Sequence, residues 1–485
     1  MLDQVATGTG VSRLLDGRRL LVVSNREPFE IRREGSRTRY VPTVGGLVSA
    51  LDPVVRATQG VWVAWRRGDA DVGGRAPHVA ADCSTGAPYT LRVIPVSERE
   101  AGGYYDGFAN RTLWPVMHGF IGRAKFDDDN WSDYRSVNER FAAAVAATLQ
   151  PGDVVWIHDY QLSLVPSELR KSIGSGKSVG YFHHIPFPAP EVFRVLPWAR
   201  EILVGLLGAD LVGFHTPSYV ANFLESCAGL LGAPIDPERS RVHWGGRWVR
   251  VGAFPIGIDV ERFEKLASSP ETIAAARKLK LDFRTEKLIV GADRLDYTKG
   301  LKERVLAIES FFERHPKWRG RVTYVQVAVP SRTQVKEYRE MKSELDETVG
   351  RVNGRFTEPG WVPVRYIARS LEHAKLVPLY LAADVCLVTP LRDGMNLVAM
   401  EYVASRPDGG GALILSDQAG AIERLREAWP VNPRHITGVA DTIAEVLRTP
   451  EEERADRMRS LQRAVRDGDV HRWTSSFLGD LLAAG

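Results

Sequence analysis

Short apolar runs alternate with longer amphipathic stretches along most of the 485-residue chain. Runs such as RLLVVSN and DVVWIHDY are apolar without alternation, which is typical of strands buried on both faces of a parallel sheet. Between them, segments such as VNERFAAAVAATLQ repeat their apolar positions with helical spacing. This alternation of strand and helix predicts an α/β fold built on doubly wound parallel sheets.

The pattern of buried strands restarts after residue 255 with EKLIVGADR, RVTYVQVAV, ADVCLVTPL and GALILSD. Pro255 and two nearby glycines interrupt the periodicity at this point, within VGAFPIGIDVERF. We therefore predict two Rossmann-like domains, residues 1–255 and 256–467, facing each other across a cleft. Residues 468–485 predict an amphipathic helix, which we expect to pack back on the N-terminal domain.

Polar residues follow the predicted strands, at the strand ends where open α/β sheets bind their ligands. In chain order they are Asn25, Arg26, Trp65, His158, Asp159, His183, His184, Arg294, Arg332 and Asp393. This collection is rich in arginine and suits a ligand that carries phosphates and hydroxyl groups.

The segment GADRLDYTKGL presents Arg294 and Lys299 after a strand, between glycines that let the backbone approach a ligand. Two cations there can neutralise a diphosphate, and the alternative is a pair of surface cations. In TPLRDGMNLVAMEY, Asp393 and Gly394 predict a turn before a helix whose first N–H groups favour an anion. Asp393 can accept sugar hydroxyls there, and Glu401, two turns along, is placed to hold a ribose.

Arg26 and Arg332 end strands in different predicted domains. Each alone reads as a solvated cation, but together with Tyr105 they can bind a phosphate separate from the diphosphate. Asp159 and His184 also follow strands, and for them a structural and a catalytic role are equally supported by the sequence.

Composition and charge exclude several classes of protein. A formal net charge of +4 gives no reason to expect nucleic acid as a partner. The cysteines, Cys83, Cys227 and Cys386, show no CxxC spacing, which argues against zinc and disulfides and favours a cytoplasmic location. No apolar run approaches the roughly 18 residues of a membrane span, and the first residues lack the apolar core of a signal peptide.

Several short motifs fail on inspection. GSGKSVG is no phosphate loop, because Lys171 stands where the first glycine is needed and a strand follows in place of a helix. The chain has neither a GxGxxG after its first strand nor a GxSxG elbow, so a nicotinamide dehydrogenase and a serine hydrolase are not expected. FDDDNW we interpret as a solvated loop and not as a metal site.

Taken together, the motifs SNR, GGL, LWP, WIHDY, HIPFP, PIGID, RLDYTKGL, VTPLRDGMNLVA and EYVAS resemble the trehalose-6-phosphate synthase family in density and order. The resemblance covers nearly the whole chain. It implies the GT-B architecture and a retaining glucosyltransferase that makes trehalose 6-phosphate from a nucleoside diphosphate glucose and glucose 6-phosphate. The acceptor glucose 6-phosphate is assigned to the N-terminal domain and the donor to the C-terminal domain.

The resemblance also implies a role for each matching residue. Catalytic roles fall to Asp159, His184, Arg294, Lys299 and Asp393. Donor contacts fall to Gly45, Gly46, Arg294, Lys299, Leu371, Asp393, Gly394, Met395, Asn396, Leu397, Val398 and Glu401. Acceptor contacts fall to Arg26, Tyr105, Trp114, Asp159 and Arg332, and Trp114 and His184 line the junction where the new bond forms. The resemblance implies small-molecule substrates only, with no metal and no cofactor. It is compatible with a homo-oligomer, but the sequence does not specify the oligomeric state.

Three residues and one segment depart from the family pattern. Gln161 and Met400 replace a His and a Lys, and Leu371 stands where a relative has an aromatic residue beside the donor base. UDP-glucose and GDP-glucose therefore stay level as donors. The segment 30–44, which we interpret as a loop, is long and basic, and we expect it to close over the acceptor phosphate. A pseudo-glycosyltransferase acting on cyclitols and a non-catalytic sugar-phosphate sensor remain as alternatives.

Overall fold

A computed structural model describes residues 8–34, 37–42, 46–67, 78–79, 89–174, 176, 178–330 and 336–484. The chain divides into two compact units. Unit 1 consists of the residues up to Ile256 together with those from Val470 onward, and unit 2 consists of Gly257–Asp469. Each unit is an α/β structure with its own mainly parallel sheet, as the apolar runs predicted.

Unit 1 contains a ten-stranded sheet and a separate two-stranded ribbon. Its strands are β1 Leu20–Val23, β2 Phe29–Glu34, β3 Arg37–Pro42, β4 Val61–Arg67, β5 His78–Val79, β6 Tyr89–Val96, β7 Val154–His158, β8 Ser178–Phe182, β9 Leu211–Phe214, β10 Ile235–Asp236, β11 Arg241–Trp244 and β12 Arg247–Ala253. The order is β10-β11-β12-β9-β8-β7-β1-β4-β6-β5. All neighbours from β12 to β6 are parallel. The strand order reverses between β1 and β7, which makes their carboxyl ends the switch point of the sheet.

The helices of unit 1 connect these strands. They are α1 Gly8–Leu15, α2 Gly46–Ala57, α3 Glu98–Ala101, α4 Trp114–Met117, α5 Asp128–Ala146, α6 Val165–Ile173, α7 Pro190–Phe193, α8 Ala199–Leu206 and α9 Pro217–Ser226, with π-helical segments at Gly102–Leu113 and Cys227–Leu231. FDDDNW is the start of α5 and not the loop we expected. Asp127 caps this helix by accepting a hydrogen bond from Asn130 N (2.8 Å), and Asp128 and Asp129 suit its positive end.

The basic segment 30–44 was also wrongly predicted as a loop. Its described residues belong to β2 and β3, which pair antiparallel with Ile31 opposite Tyr40 and Arg33 opposite Thr38. β-Branched and aromatic residues favour strands, and the arginines between them hid the alternation from the sequence reading. The expected closure of this segment over a phosphate stays a prediction.

Unit 2 is a six-stranded parallel sheet flanked by helices. Its strands are β13 Lys287–Arg294, β14 Val322–Val329, β15 Val364–Ile367, β16 Val385–Val388, β17 Leu413–Ser416 and β18 Trp429–Val431, in the order β15-β14-β13-β16-β17-β18. Its helices are α10 Val260–Ala267, α11 Pro270–Phe283, α12 Leu301–Arg314, α13 Lys336–Phe356, α14 His373–Ala382, α15 Leu397–Ala404, α16 Ile436–Arg448 and α17 Glu451–Arg466. This is the Rossmann strand order, with its switch point between β13 and β16.

The last helix, α18 Val470–Ala484, packs on the sheet of unit 1. Gly180 in β8 and Gly213 in β9 make room for it, because a Cβ on either residue would lie 2.7 Å from the Phe477 ring. Phe477 also stacks on Trp156 of β7, with ring centroids 4.5 Å apart and planes 6° apart. Among the described residues, no helix combines the length and the apolarity needed to traverse a lipid bilayer.

Candidate active site

The switch point of unit 1 brings Arg26 and Tyr105 together. Arg26 follows β1, is exposed to solvent and donates a hydrogen bond from Nη2 to the Tyr105 hydroxyl over 2.7 Å. Its guanidinium carbon also lies 5.7 Å from the centre of the Tyr105 ring. A guanidinium and a phenol oxygen at one strand end form a site suited to a phosphate.

Buried polar contacts fix the backbone that carries this pair. Asn25 Oδ1 accepts hydrogen bonds from Trp65 Nε1 (2.8 Å) and from the Tyr104 hydroxyl (2.7 Å). The Ser24 hydroxyl donates to the carbonyl of Arg26 (2.8 Å). The conformation of the turn after β1 is therefore set from beneath, by side chains that are themselves buried.

Tyr105 belongs to the π-helical segment, which the sequence reading missed. Gly103 and Gly107 bring this segment against α5, since an added Cβ would lie 2.1 Å from Asp133 Oδ2 and 2.6 Å from Asn130 Cγ. π-Helical turns are found frequently at functional sites. The two glycines were the available signal, because apolar periodicity does not distinguish a π-helix.

Asp159, directly after β7, has an unusual backbone conformation of φ 77° and ψ 164°. Such angles suit glycine, and they cost another residue of the order of 1–3 kcal/mol. The side chain offsets part of this cost, because Oδ1 accepts hydrogen bonds from Tyr160 N (3.0 Å) and His184 N (3.2 Å). Backbone strain at a half-buried carboxylate on a strand end makes Asp159 a candidate functional residue.

His184 lies beside Asp159 and is held by two further histidines. Its Nε2 is 3.1 Å from His158 Nδ1, and its carbonyl is 3.1 Å from His215 Nε2. Burial lowers the pKa of the His184 ring well below its ordinary value, and the neighbouring imidazoles lower it further. His184 is therefore neutral at physiological pH, which excludes it as a cationic group for binding phosphate.

Trp114 begins α4 and is buried against residues of the same region. Its ring centre lies 4.2 Å from that of His118 and 5.6 Å from that of Tyr160, the residue after Asp159. The structure thus places Trp114 next to the Asp159 turn. Arg332 and Gly45, also expected in the site, lie outside the described residues, and Gly46 is the first residue of α2.

The switch point of unit 2 joins Lys299 to Asp393. Arg294, exposed, ends β13, and Lys299 ends the short helical turn that follows. Lys299 Nζ lies 2.5 Å from Asp393 Oδ2, and each side chain is 13% exposed. An ion pair this sheltered from solvent connects the turns after β13 and β16, the two strands at the switch point.

Asn396 completes this arrangement. Its Nδ2 donates to Asp393 Oδ2 (3.0 Å), and its Oδ1 accepts from Ala399 N (3.2 Å) and so caps α15. Its backbone is at φ 85°, ψ 91°, a second strained non-glycine residue at a strand-end turn. Gly394 and Met395, between Asp393 and Asn396, are buried, and Leu397 and Val398, the first residues of α15, are half-buried.

Helix α15 also carries Glu401, which is half-buried and one turn beyond Leu397. Burial raises the pKa of Glu401 to about 7, partly opposed by Arg262 and assisted by Asp293. Leu371 is half-buried in the connection between β15 and α14. A carboxyl group with a pKa near neutrality at a strand-to-helix turn is a candidate for ligand binding.

The comparison with known families decides the classification. The model of "Glycosyltransferase family 20" matches residues 18–483. The chain belongs to glycosyltransferase family 20.

Named relatives and a solved structure agree with this assignment. The chain is 42% identical over 494 residues to the trehalose-6-phosphate synthase of Mycolicibacterium vanbaalenii, covering 99% of each. It is 45% identical over 482 residues to the bifunctional trehalose-6-phosphate synthase/phosphatase of Thermoproteus tenax, covering 96% of the chain but only 64% of that relative. The fold also matches a crystal structure of a UDP-forming α,α-trehalose-phosphate synthase from Burkholderia xenovorans in complex with glucose-6-phosphate, with a TM-score of 0.86. The two sequences are 35% identical, and the match covers 96% of this chain and 100% of that chain.

These findings confirm the predicted glycosyltransferase and its GT-B architecture of two Rossmann-like domains. The roles expected for individual residues, and for each domain, stay predictions. Among the described residues, no group of three or more His, Cys, Asp or Glu side chains is arranged to hold a metal ion.

A buried ion pair beneath Lys299 was not predicted from the sequence. Arg304 of α12 donates to Asp293 Oδ2 of β13 over 2.8 Å, and both side chains are at most 2% exposed. Arg304 Nη2 also lies 3.3 Å from the Lys299 carbonyl oxygen. The available signal was a charged residue at a core-facing position of α12 and another inside an apolar strand.

Two departures from the family 20 pattern are buried positions. Met400 is fully buried in α15, so it fills the core of unit 2 rather than facing a ligand. Gln161 is 8% exposed, and its Oε1 is buried without a hydrogen-bond partner among the described residues.

Proposed function

We propose that this family 20 protein transfers glucose from a nucleoside diphosphate glucose to glucose 6-phosphate, forming α,α-trehalose 6-phosphate with retention at the anomeric carbon. The Burkholderia xenovorans relative is named as UDP-forming and binds glucose-6-phosphate, which supports the acceptor and makes UDP-glucose the first donor to test. GDP-glucose is the second, because Leu371 offers only an aliphatic surface beside the expected position of the base.

The observation that carries this proposal is the Lys299–Asp393 ion pair of 2.5 Å in unit 2. It places a cation and a carboxylate side by side at a switch point, where open sheets bind nucleotides. In the proposal Lys299 neutralises the diphosphate with help from Arg294, and Asp393 accepts hydroxyls of the transferred glucose. Asn396 keeps Asp393 in place, and Glu401 binds the ribose.

Unit 1 supplies the acceptor site in this proposal. The Arg26 guanidinium and the Tyr105 hydroxyl, 2.7 Å apart, bind the phosphate of glucose 6-phosphate. Asp159 accepts a sugar hydroxyl, and its strained backbone holds the carboxylate in position. A phosphate contact and a hydroxyl contact on one sheet edge suit a sugar phosphate better than either group alone.

The chemical step then requires electrostatic stabilisation more than a protein nucleophile. The bond from the anomeric carbon to the diphosphate oxygen breaks, and the acceptor hydroxyl oxygen forms the new bond on the same face of the sugar. The hydroxyl proton passes to the departing diphosphate oxygen, and the diphosphate takes the electron pair. Lys299 and Arg294 lower the barrier by stabilising the charge that develops there.

The test is to incubate the purified protein with glucose 6-phosphate and either UDP-glucose or GDP-glucose, and to identify the products by NMR. We expect α,α-trehalose 6-phosphate with unchanged activity in EDTA. Lys299→Ala is expected to lower kcat by roughly two to three orders of magnitude, as for loss of a charge-stabilising donor. Lys302→Ala is the matched control, because Lys302 is an exposed lysine of α12 paired with Glu344.

Other outcomes separate the alternatives. Nucleotide release without a disaccharide phosphate contradicts the proposal. Binding of glucose 6-phosphate without turnover identifies a sensor, and transfer only to cyclitol analogues identifies a pseudo-glycosyltransferase.

A further inference from the structure

His184 is held at three of its polar atoms by residues on neighbouring strand ends of unit 1. Its N–H donates to Asp159 Oδ1 (3.2 Å), its carbonyl accepts from His215 Nε2 (3.1 Å), and its ring Nε2 contacts His158 Nδ1 (3.1 Å). The ring atom Nδ1 makes no hydrogen bond to any residue that the structure describes. It is therefore the atom that His184 can offer to a ligand.

The contact between His158 and His184 contains a single proton. His158 is fully buried, with the Trp156 ring centre 4.7 Å and the Trp473 ring centre 6.4 Å from its own. This burial lowers the pKa of His158 to about 3, and that of His184 is also well below its ordinary value. Both rings are neutral at pH 7, and a neutral imidazole has one donor nitrogen and one acceptor nitrogen.

Two arrangements of the protons are consistent with a 3.1 Å contact between the rings. Either His158 Nδ1–H donates to His184 Nε2, or His184 Nε2–H donates to His158 Nδ1. In the second arrangement the proton of His158 lies on its Nε2, which is buried without a partner among the described residues. A buried N–H without an acceptor is rarer in proteins than an acceptor without a donor, so the first arrangement is favoured.

We propose that His158 is a positioning residue that fixes His184 as the Nδ1–H tautomer, so that His184 donates a hydrogen bond to an oxygen of the bound sugar substrate. This inference rests on the proposed function, because it places His184 at the reacting sugars. A donor there stabilises oxygens on which negative charge develops, whereas the lone pair of the other tautomer would repel them. The neighbouring histidine thus determines whether the catalytic imidazole assists or opposes the reaction.

The direct test is ¹⁵N NMR of the full chain labelled on histidine, at pH 7 and without substrate. The signals of His184 are assigned by their loss in His184→Gln. We expect a protonated, pyrrole-like Nδ1 and an unprotonated, pyridine-like Nε2 for His184. The reverse pattern in the wild-type protein overturns the proposal.

Kinetics of His158 variants give the second test. His158→Leu removes the donor and is expected to lower kcat by roughly tenfold to a hundredfold, with the acceptor KM within about threefold of wild type. His158→Asn places an amide donor near the former Nδ1 and is expected to recover most of this loss. Wild-type kcat in a folded His158→Leu overturns the proposal.

Trp156→Phe is the matched control, because Trp156 contacts the His158 ring without a hydrogen bond to it. We expect this variant to keep the wild-type tautomer and kcat, and a loss equal to that of His158→Leu would assign the effect to packing and overturn the proposal. The NMR result separates this inference from the proposed function. The expected tautomer in a protein that makes no disaccharide phosphate would refute the function and leave the tautomer assignment standing.

Discussion

Replacing Arg304 with Met tests whether the buried ion pair supports the Lys299 turn. The guanidinium is 0% exposed in its side chain and has four acceptors. They are Asp293 Oδ2 at 2.8 Å, Thr389 Oγ1 at 3.0 Å, the Lys299 carbonyl at 3.3 Å and Gln326 Oε1 at 3.4 Å. Arg304 thus joins α12 to three strands or strand ends around the switch point of unit 2.

The cost of Arg304→Met comes mainly from the carboxylate that it leaves behind. Burial already raises the pKa of Asp293, and Arg304 and Lys299 counteract that effect. Removing one partner of such a buried pair typically costs about 3–5 kcal/mol. For a unit of this size, about 2–4 °C per kcal/mol corresponds to a fall in Tm of roughly 6–20 °C. Loss of the bond to the Lys299 carbonyl is expected to lower kcat roughly tenfold as well.

The assay is urea unfolding followed by circular dichroism, with kcat measured well below the transition. Arg314→Met is the control on the same helix, because Arg314 and its partner Asp441 are each 47% exposed and their pairing contributes little. The double variant with Asp293→Asn removes the stranded charge and is expected to be more stable than Arg304→Met alone. If Arg304→Met loses no more stability than Arg314→Met, the ion pair does not support this turn.

Three further predictions concern other parts of the two units. Glu401, with a pKa raised to about 7, must ionise to accept ribose hydroxyls, so the affinity for UDP-glucose measured by calorimetry should rise about tenfold from pH 6 to pH 8. In Glu401→Gln the affinity should not change with pH. Because folded Glu401 keeps a proton that the unfolded chain has lost, this group makes the free energy of unfolding fall as pH rises from about 4.5 to 7. Asn396→Gly and Asn396→Ala both lose the side chain that caps α15, but only glycine accepts a φ of 85° without strain. Urea unfolding should therefore show the Gly variant to be about 1–2 kcal/mol more stable than the Ala variant, and equal stabilities would refute backbone strain at this residue. Gly213→Ala puts a Cβ 2.7 Å from Phe477 and should lower the free energy of unfolding by about 1–3 kcal/mol. Adding Phe477→Leu should recover part of this loss, and an unchanged loss would show that the strain arises elsewhere.

The location of the candidate site residues at strand ends could be predicted because strand ends are visible in a sequence even when strand order is not. An apolar run that stops at Arg294 or at His158 predicts where a strand ends, and the carboxyl ends of parallel strands share one edge of a sheet. The order β15-β14-β13-β16-β17-β18 could not be predicted in the same way, since nothing in a buried run specifies its neighbours. The contact between Lys299 and Asp393, 94 residues apart, was for that reason invisible.

Local errors have a different cause. A strand is recognised in a sequence either by a continuous apolar run or by alternation of polar and apolar residues. The arginines of β2 and β3 removed both patterns, so the ribbon was predicted as a loop. The π-helical segment has no distinctive apolar period, so only Gly103 and Gly107 pointed to its close approach to α5. Arg304 was missed because a charge on a helix is usually solvated, and burial here depends on a partner from another element.

Both units have a strained, positive-φ residue in a turn at the switch point of the sheet, and this conformation explains why Asp or Asn occupies each turn. The described chain has six non-glycine residues with positive φ, and two of them are the candidate site residues Asp159 and Asn396. Each follows a strand at a switch point, where the chain must turn sharply and still present a polar group. Short side chains that bond to the nearby backbone tolerate this conformation, as Asp159 does with Tyr160 N and Asn396 with Ala399 N. Each side chain thus stabilises its own turn and orders the site beside it, because Asp159 Oδ1 also accepts from His184 N and Asn396 Nδ2 donates to Asp393 Oδ2. Residue type therefore predicts a polar group at these turns but not the backbone strain.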